Sequence, residues 1–145
     1  MQIEPQKIRA LAGFRSALRR FLAFSEEATR AAGVTAQQYQ AMLALKAYAK
    51  SEMPISELAD ELLLKPNSAA QLVDRLVAAG LVERKPSASD KRAVAVALTA
   101  AGDVLLMRLV AAHLEQLAKR KKQLADILRQ LRQISPSSRL GAAEK

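Results

Sequence analysis

A chain of 145 residues with a formal net charge of +9 is long enough to bury a core without cross-links. Its basic balance favours a polyanionic partner, nucleic acid ahead of an acidic membrane surface. Aromatic residues make up only 3% and cysteine is absent, so the core must be built of Leu, Ala and Val, which favours packed helices, and disulfides, thiolate zinc sites and thiol redox sensing are excluded. No apolar run approaches a membrane span and the N-terminus MQIEPQKIRAL has no signal-type apolar stretch, which reads as a cytoplasmic protein without membrane contact.

In chain order, Ile8, Leu11, Phe14, Leu18, Phe21, Leu22 and Ala28 recur at helical spacing. They predict a long first helix from about Pro5 to Ala31, with proline suited to its opening turn and Gly33 near its end. Thr35 and Gln38 form a capping-box pattern before Tyr39, Met42, Leu43 and Leu45, so a second helix starts there. Pro54 and Ile55 read as a short extended piece, and Ser56 to Leu62 as a compact third helix with Leu58, Ala59 and Leu62 on one face. Leu63 to Lys65 then turn the chain into a fourth helix, Pro66 to Ala79, closed by Gly80. Its Ala69, Leu72, Val73, Leu76 and Val77 make a stripe that must face a core. Asn67, Ser68, Gln71 and Arg75 are left on the exposed side. Two residues sit oddly in the turn. The ammonium of Lys65 cannot accept from helix N–H groups at the capping position, although Pro66 pre-sets the first turn, and Leu63 and Leu64 stand where a glycine would be easier.

Leu81 to Thr99 is the most informative stretch. Leu81 to Lys85 carries strand-type residues, and Val94, Val96 and Leu98 alternate with Ala93, Ala95 and Ala97 in the period of two that buries one face. Pro86, Ser87, Ala88 and Ser89 turn the chain between them. The tip offers Lys91 and Arg92, with Asp90 placed to fix the arginine by a charge-assisted hydrogen bond. A helix with a polar exposed face followed by a basic hairpin is the pattern of a winged helix-turn-helix, so the expected fold is mainly α with a small β-hairpin.

Thr99 then caps a fifth helix. Leu106, Val110, His113, Leu117, Arg120, Leu124, Ile127, Leu131 and Ile134 form a heptad-like seam. A continuous helix over this span would be roughly 50 Å long at about 1.5 Å per residue, too long for a small core to cover, so it calls for a partner, most simply a second copy. The charged run Lys119 to Lys122 is where such a helix would break into two. The expected dimer contacts are Leu11, Phe14, Leu18, Leu117, Leu124, Leu128 and Leu131. The organisation read from these patterns is an N-terminal dimerisation helix over 1–34, a winged helix-turn-helix lobe over 35–99, C-terminal dimerisation helices over 100–134, and a polar tail over 135–145 expected to be disordered.

These residues resemble the multiple-antibiotic-resistance regulator (MarR) family of winged-helix transcription factors. The likeness rests on TAQQYQAMLAL in the second helix, ISELADELLLKPNSAAQLVDRLVAAGLVERK across the two-helix motif and DKRAVAVALTAAG closing the wing. The resemblance implies a homodimer joined by helices from both chain ends, presenting two recognition helices and two wings to double-stranded DNA. Such a protein regulates transcription, here read as repression from a near-palindromic operator. Carried onto this sequence, the resemblance makes Pro66 to Ala79 the recognition helix, with its first turn in the major groove. Asn67 and Gln71 would then make bidentate contacts to adenine, and Ser68 would hold a phosphate or a base edge. Arg92 matches a wing-tip arginine, which implies insertion in or beside the minor groove with Asp90 as its positioner. Lys65, Arg75, Arg84, Lys85 and Lys91 become phosphate contacts, Arg75 being almost as well suited to a salt bridge with Asp74 or Glu83. The resemblance also implies release of DNA by a small aromatic or phenolic ligand. Phe21, Phe24, Tyr39, Met42 and His113 are candidates for that site, and a simple apolar core explains the same residues.

An enzyme needs a convergent set of titratable groups. The single histidine, His113, falls on an apolar helical seam, and the acidic pairs Glu26-Glu27 and Asp60-Glu61 are splayed apart by helix geometry. Neither a glycine-rich phosphate loop nor a metal-spaced cluster occurs. No catalytic residue, metal or cofactor is expected. Two other readings share the fold: a winged helix used as a protein-interaction module, and a non-specific architectural DNA binder.

Overall fold

The computed structural model describes residues 2–87 and 92–133. Its elements run α1 (Pro5–Ala31), α2 (Ala36–Ala47), β1 (Met53–Pro54), α3 (Ile55–Glu61), α4 (Pro66–Ala78), β2 (Val82–Pro86), β3 (Val94–Leu98), α5 (Ala100–Lys119) and α6 (Lys121–Arg132). The chain divides into two compact units, Ser25–His113 and a second made of the residues up to Phe24 together with those from Leu114.

In the Ser25–His113 unit, local chemistry sets the helix ends. The Thr35 hydroxyl accepts from Gln38 N at 3.0 Å while the Gln38 side chain accepts from Thr35 N at 2.9 Å, so two otherwise orphaned donors at the start of α2 are satisfied reciprocally. α4 opens on Pro66 without a side-chain cap from Lys65 and closes on Gly80 at φ +74. Thr99 joins the entry of α5 to the end of α4. Its hydroxyl donates to Gly80 O at 2.7 Å and accepts from Gly102 N at 3.0 Å, and its N–H donates to Leu81 O at 3.1 Å.

The sheet has three antiparallel strands in the order β1-β3-β2. The extended piece lies at Met53–Pro54, one residue earlier than Pro54 and Ile55 suggest, because Ile55 already belongs to α3. β3 also departs from the expected alternation. Ala95, Val96 and Ala97 are all buried while Val94 is exposed. β3 is the central strand, hydrogen-bonded along both edges, and its small alanines are buried on the side the alternation assigned to solvent. The core gathers Met42, Leu45, Leu58, Leu72, Val73, Leu76, Val82, Val96 and Leu106.

The other unit contains α6 and the outer parts of α1 and α5. The C-terminal seam is two helices, and the break falls at Arg120, with φ −109 and ψ 13. Within the cationic run Lys119 to Lys122, Lys119 and Lys122 stand three positions apart and would repel as neighbours on one continuous helix. Ile127 is buried and stands beside Gly13, where an added Cβ would lie 3.9 Å from Ile127 Cγ1. Ile8, Leu11, Phe14 and Leu128 are exposed. Leu18, Leu117, Leu124 and Leu131 are partly covered.

Candidate nucleic-acid interface

α4 is strongly two-faced. Ala69, Leu72, Val73 and Leu76 are buried, and Asn67, Ser68, Gln71 and Arg75 are exposed, so the face with hydrogen-bonding capacity is the one open to a partner. Val77 departs from the expected core stripe: it is 37% exposed, because the stripe narrows to the Leu72, Val73 and Leu76 side before the helix ends. Lys65 is exposed just ahead of Pro66. Its backbone, at φ −68 and ψ 151, is extended, as a following proline requires.

The hairpin strand β2 runs on from this helix, and a residue pair that the sequence reading missed ties the two together. Arg84 donates to the Asp74 carboxylate and to Ala70 O at 3.4 Å. Arg84 is therefore held against α4, which leaves it less able to reach a phosphate than a free side chain would be. Asp74 and Arg84 stand ten positions apart, across a helix end and into a strand, a separation at which no sequence period pairs residues. Lys85 and Glu83 pair at 3.2 Å. Since Asp74 and Glu83 serve other cations, the salt bridge weighed for Arg75 does not form, and Arg75 has no acidic partner among the described residues. At the neck of the hairpin, Ser87 N donates to Ala93 O at 3.0 Å. Arg92 is exposed. Asp90 and Lys91 lie outside the described residues.

The residues considered for a small ligand divide between the units. Phe21 and Phe24, both partly covered, belong to the unit containing α6. Tyr39, Met42 and His113 are buried in the Ser25–His113 unit. His113 stacks on Tyr39 with ring centroids 4.4 Å apart and an interplanar angle of 13°. Its Nδ1 lies 2.6 Å from Leu109 O and its Nε2 2.9 Å from the Ser25 hydroxyl. A carbonyl only accepts, so Nδ1 carries the proton and Nε2 accepts from Ser25 in the neutral ring. Ser25 O in turn accepts from the Thr29 hydroxyl at 2.8 Å. Burial pushes the Tyr39 phenol above its ordinary pKa. Among the described residues there is no group of three or more His, Cys, Asp or Glu that could hold a metal, and no helix is long and apolar enough to cross a membrane.

Residues 32–93 match a family model described as the MarR family. The fold is similar to that of wild-type MarR in its apo form from E. coli, with a TM-score of 0.69 at 21% identity, covering 94% of this chain and 100% of that one. It is also similar to AbsC, a MarR family transcriptional regulator from Streptomyces coelicolor, with a TM-score of 0.66 at 21% identity, covering 91% of this chain and 98% of that one. An S. aureus MepR mutant bound to an oligodeoxyribonucleotide gives a TM-score of 0.64 at 18% identity, covering 84% of this chain and 95% of that one. No curated protein matches the chain in sequence.

Proposed function

We propose, from residues 32–93 that match a MarR family model, that the chain is a sequence-specific double-stranded DNA-binding transcription regulator rather than an enzyme. The observation that carries this reading is the α4 face: an amide, a hydroxyl, an amide and a guanidinium, Asn67, Ser68, Gln71 and Arg75, stand exposed over a fully buried apolar stripe. Side-chain amides pair bidentately with adenine in the major groove. Asn67 and Gln71 therefore read bases, Ser68 holds a phosphate or a base edge, and Lys65 and Arg75 neutralise phosphates, as does Lys85 on giving up its exposed pair with Glu83. Arg84 anchors β2 to α4 through Asp74. Arg92, exposed after the neck of the hairpin, contacts the duplex in or beside the minor groove.

The regulator acts as a homodimer and a repressor. Exposed Leu11, Phe14 and Leu128, with partly covered Leu18, Leu117, Leu124 and Leu131, are the apolar side chains that a second copy would cover. Two recognition helices then meet half-sites about one helical turn apart, roughly 34–36 Å, on a near-palindromic operator. Release by a small aromatic or phenolic ligand, if it uses Tyr39, Met42 and His113, requires displacement of the Tyr39–His113 stack. Selection of genomic fragments by the purified protein, followed by footprinting, tests the reading. The expected result is a protected near-palindrome, and enrichment of no fragment would overturn it.

A further inference from the structure

Three helices in this chain end in the same hydrogen-bonded device, and one of the three departs from its residue preference. At the end of α1, Gly33 N donates to Arg30 O at 3.0 Å and Val34 N to Thr29 O at 3.0 Å. After α4, Gly80 N donates to Val77 O at 2.9 Å and Leu81 N to Leu76 O at 3.0 Å. After α3, Leu63 N donates to Asp60 O at 3.2 Å and Leu64 N to Ala59 O at 2.9 Å. Each is a Schellman motif, in which the residue after the cap takes a left-handed conformation. Two of those residues are glycine, with φ of +82 and +74, and the third is Leu63 at φ +55. An L-residue there crowds its Cβ against the following carbonyl, which glycine avoids.

Burial inside the chain does not offset that crowding. The Leu63 side chain is 92% exposed, more than any other large hydrophobic side chain among the described residues. The strain falls in the turn between α3 and α4, two residues before Lys65 and close to exposed Asn67 and Ser68. We propose that Leu63 is an apolar DNA contact that extends the reading face of α4, seated against a carbon-rich part of the duplex at the edge of each half-site. The reading rests on the DNA-binding function proposed above. Two apolar groups of DNA share the required chemistry, the thymine 5-methyl group and the carbons of deoxyribose. A phosphate is not the partner, because leucine offers no hydrogen-bond donor and no charge. A protein groove is a poorer fit, because apart from Pro66 the exposed residues near Leu63 in the chain are polar or charged and its leucine neighbours, Leu62 and Leu64, are partly covered.

The test uses the full-length protein and an operator selected by it, with three variants measured for both urea stability and operator affinity. Leu63→Gly relieves the backbone crowding and removes the side chain, Leu63→Asn tolerates the left-handed conformation but is polar, and Leu63→Met keeps an apolar side chain. Leu63→Gly is expected to be at least as stable as the parent and to bind the operator about fourfold to fifteenfold more weakly, the effect of losing one or two buried methylene equivalents. Leu63→Asn should weaken binding similarly, and Leu63→Met should stay within about twofold of the parent. Replacing thymine by deoxyuridine at the half-site edge identifies the group touched. If the loss on Leu63→Gly disappears there, the contact is the methyl group, and if it persists, the contact is deoxyribose. Parental affinity in Leu63→Gly or Leu63→Asn, or a full loss in Leu63→Met, overturns the inference and leaves the DNA-binding reading standing. A parent protein that binds no duplex overturns both.

Discussion

Gly102→Ala probes the joint at which the fifth helix is fastened to the turn leading into the wing. A Cβ at Gly102 would lie 2.0 Å from Leu81 O and 2.9 Å from its carbonyl carbon, where real Cβ contacts essentially never fall below 3.0 Å. The obstacle is backbone, so the clash is relieved only by moving the start of α5 or the Leu81 peptide by about 1 Å, a displacement that core packing resists. Either movement loosens the bonds from Thr99 N to Leu81 O and from the Thr99 hydroxyl to Gly80 O. Overpacking costs about 1–3 kcal/mol and the two bonds about 1 kcal/mol each, against about 1 kcal/mol gained by alanine in a helix. The expected net loss is about 2–4 kcal/mol, and with an m-value of about 2 kcal/mol/M the urea midpoint falls by about 1–2 M. Gly13→Ala in α1 is the matched control. An added Cβ there has 3.9 Å to its nearest neighbour, so the helix-propensity gain of up to about 1 kcal/mol should show as increased stability. Both variants are measured by urea denaturation at one protein concentration, since assembly shifts the midpoint. Two midpoints moving in the same direction would refute the reasoning.

Leu124→Asp places a charge among the apolar side chains proposed to meet a second copy, and an unpaired buried carboxylate is strongly disfavoured. Sedimentation equilibrium at micromolar concentration should show a dimer for the parent and a monomer for the variant, and a monomeric parent would contradict the assembly. His113→Phe keeps a ring against Tyr39 but leaves the buried Ser25 hydroxyl without its acceptor, a loss of about 1–3 kcal/mol. Adding Ser25→Ala should recover part of that loss in urea denaturation, and strict additivity of the two changes would show that the 2.9 Å bond contributes nothing.

Helix ends were legible in the sequence because their causes are local. Thr35 and Gln38 cap α2 within one turn of the chain, Pro66 opens α4, and Gly80 supplies the left-handed residue after it. The exposed face of α4 was legible for the same reason, since a 3.6-residue period fixes which side chains share a face. What depends on topology was not legible. Ala95 pairs with Pro54 of β1, a strand of two residues too short to show any period, while Ala97 pairs with Glu83 of β2. The bond of Arg84 to Asp74 requires the hairpin to pass beside α4, so Arg84 looked like a phosphate contact of the same kind as Lys85. Leu63 lies between these cases. Its place in a turn suited to glycine was visible, but its φ of +55 and near-complete exposure come from the three-dimensional turn.

The central claim is that the exposed face of α4 reads base sequence, and Gln71→Ala tests it most directly. Removing one bidentate base contact costs about 1–3 kcal/mol of discrimination. Affinities of the parent and the variant are measured by fluorescence anisotropy at one salt concentration, for the selected operator and for random duplex of equal length. The account predicts that Gln71→Ala loses about fivefold to 150-fold on the operator and changes little on random DNA. Equal losses on both duplexes, or no loss on either, would contradict it.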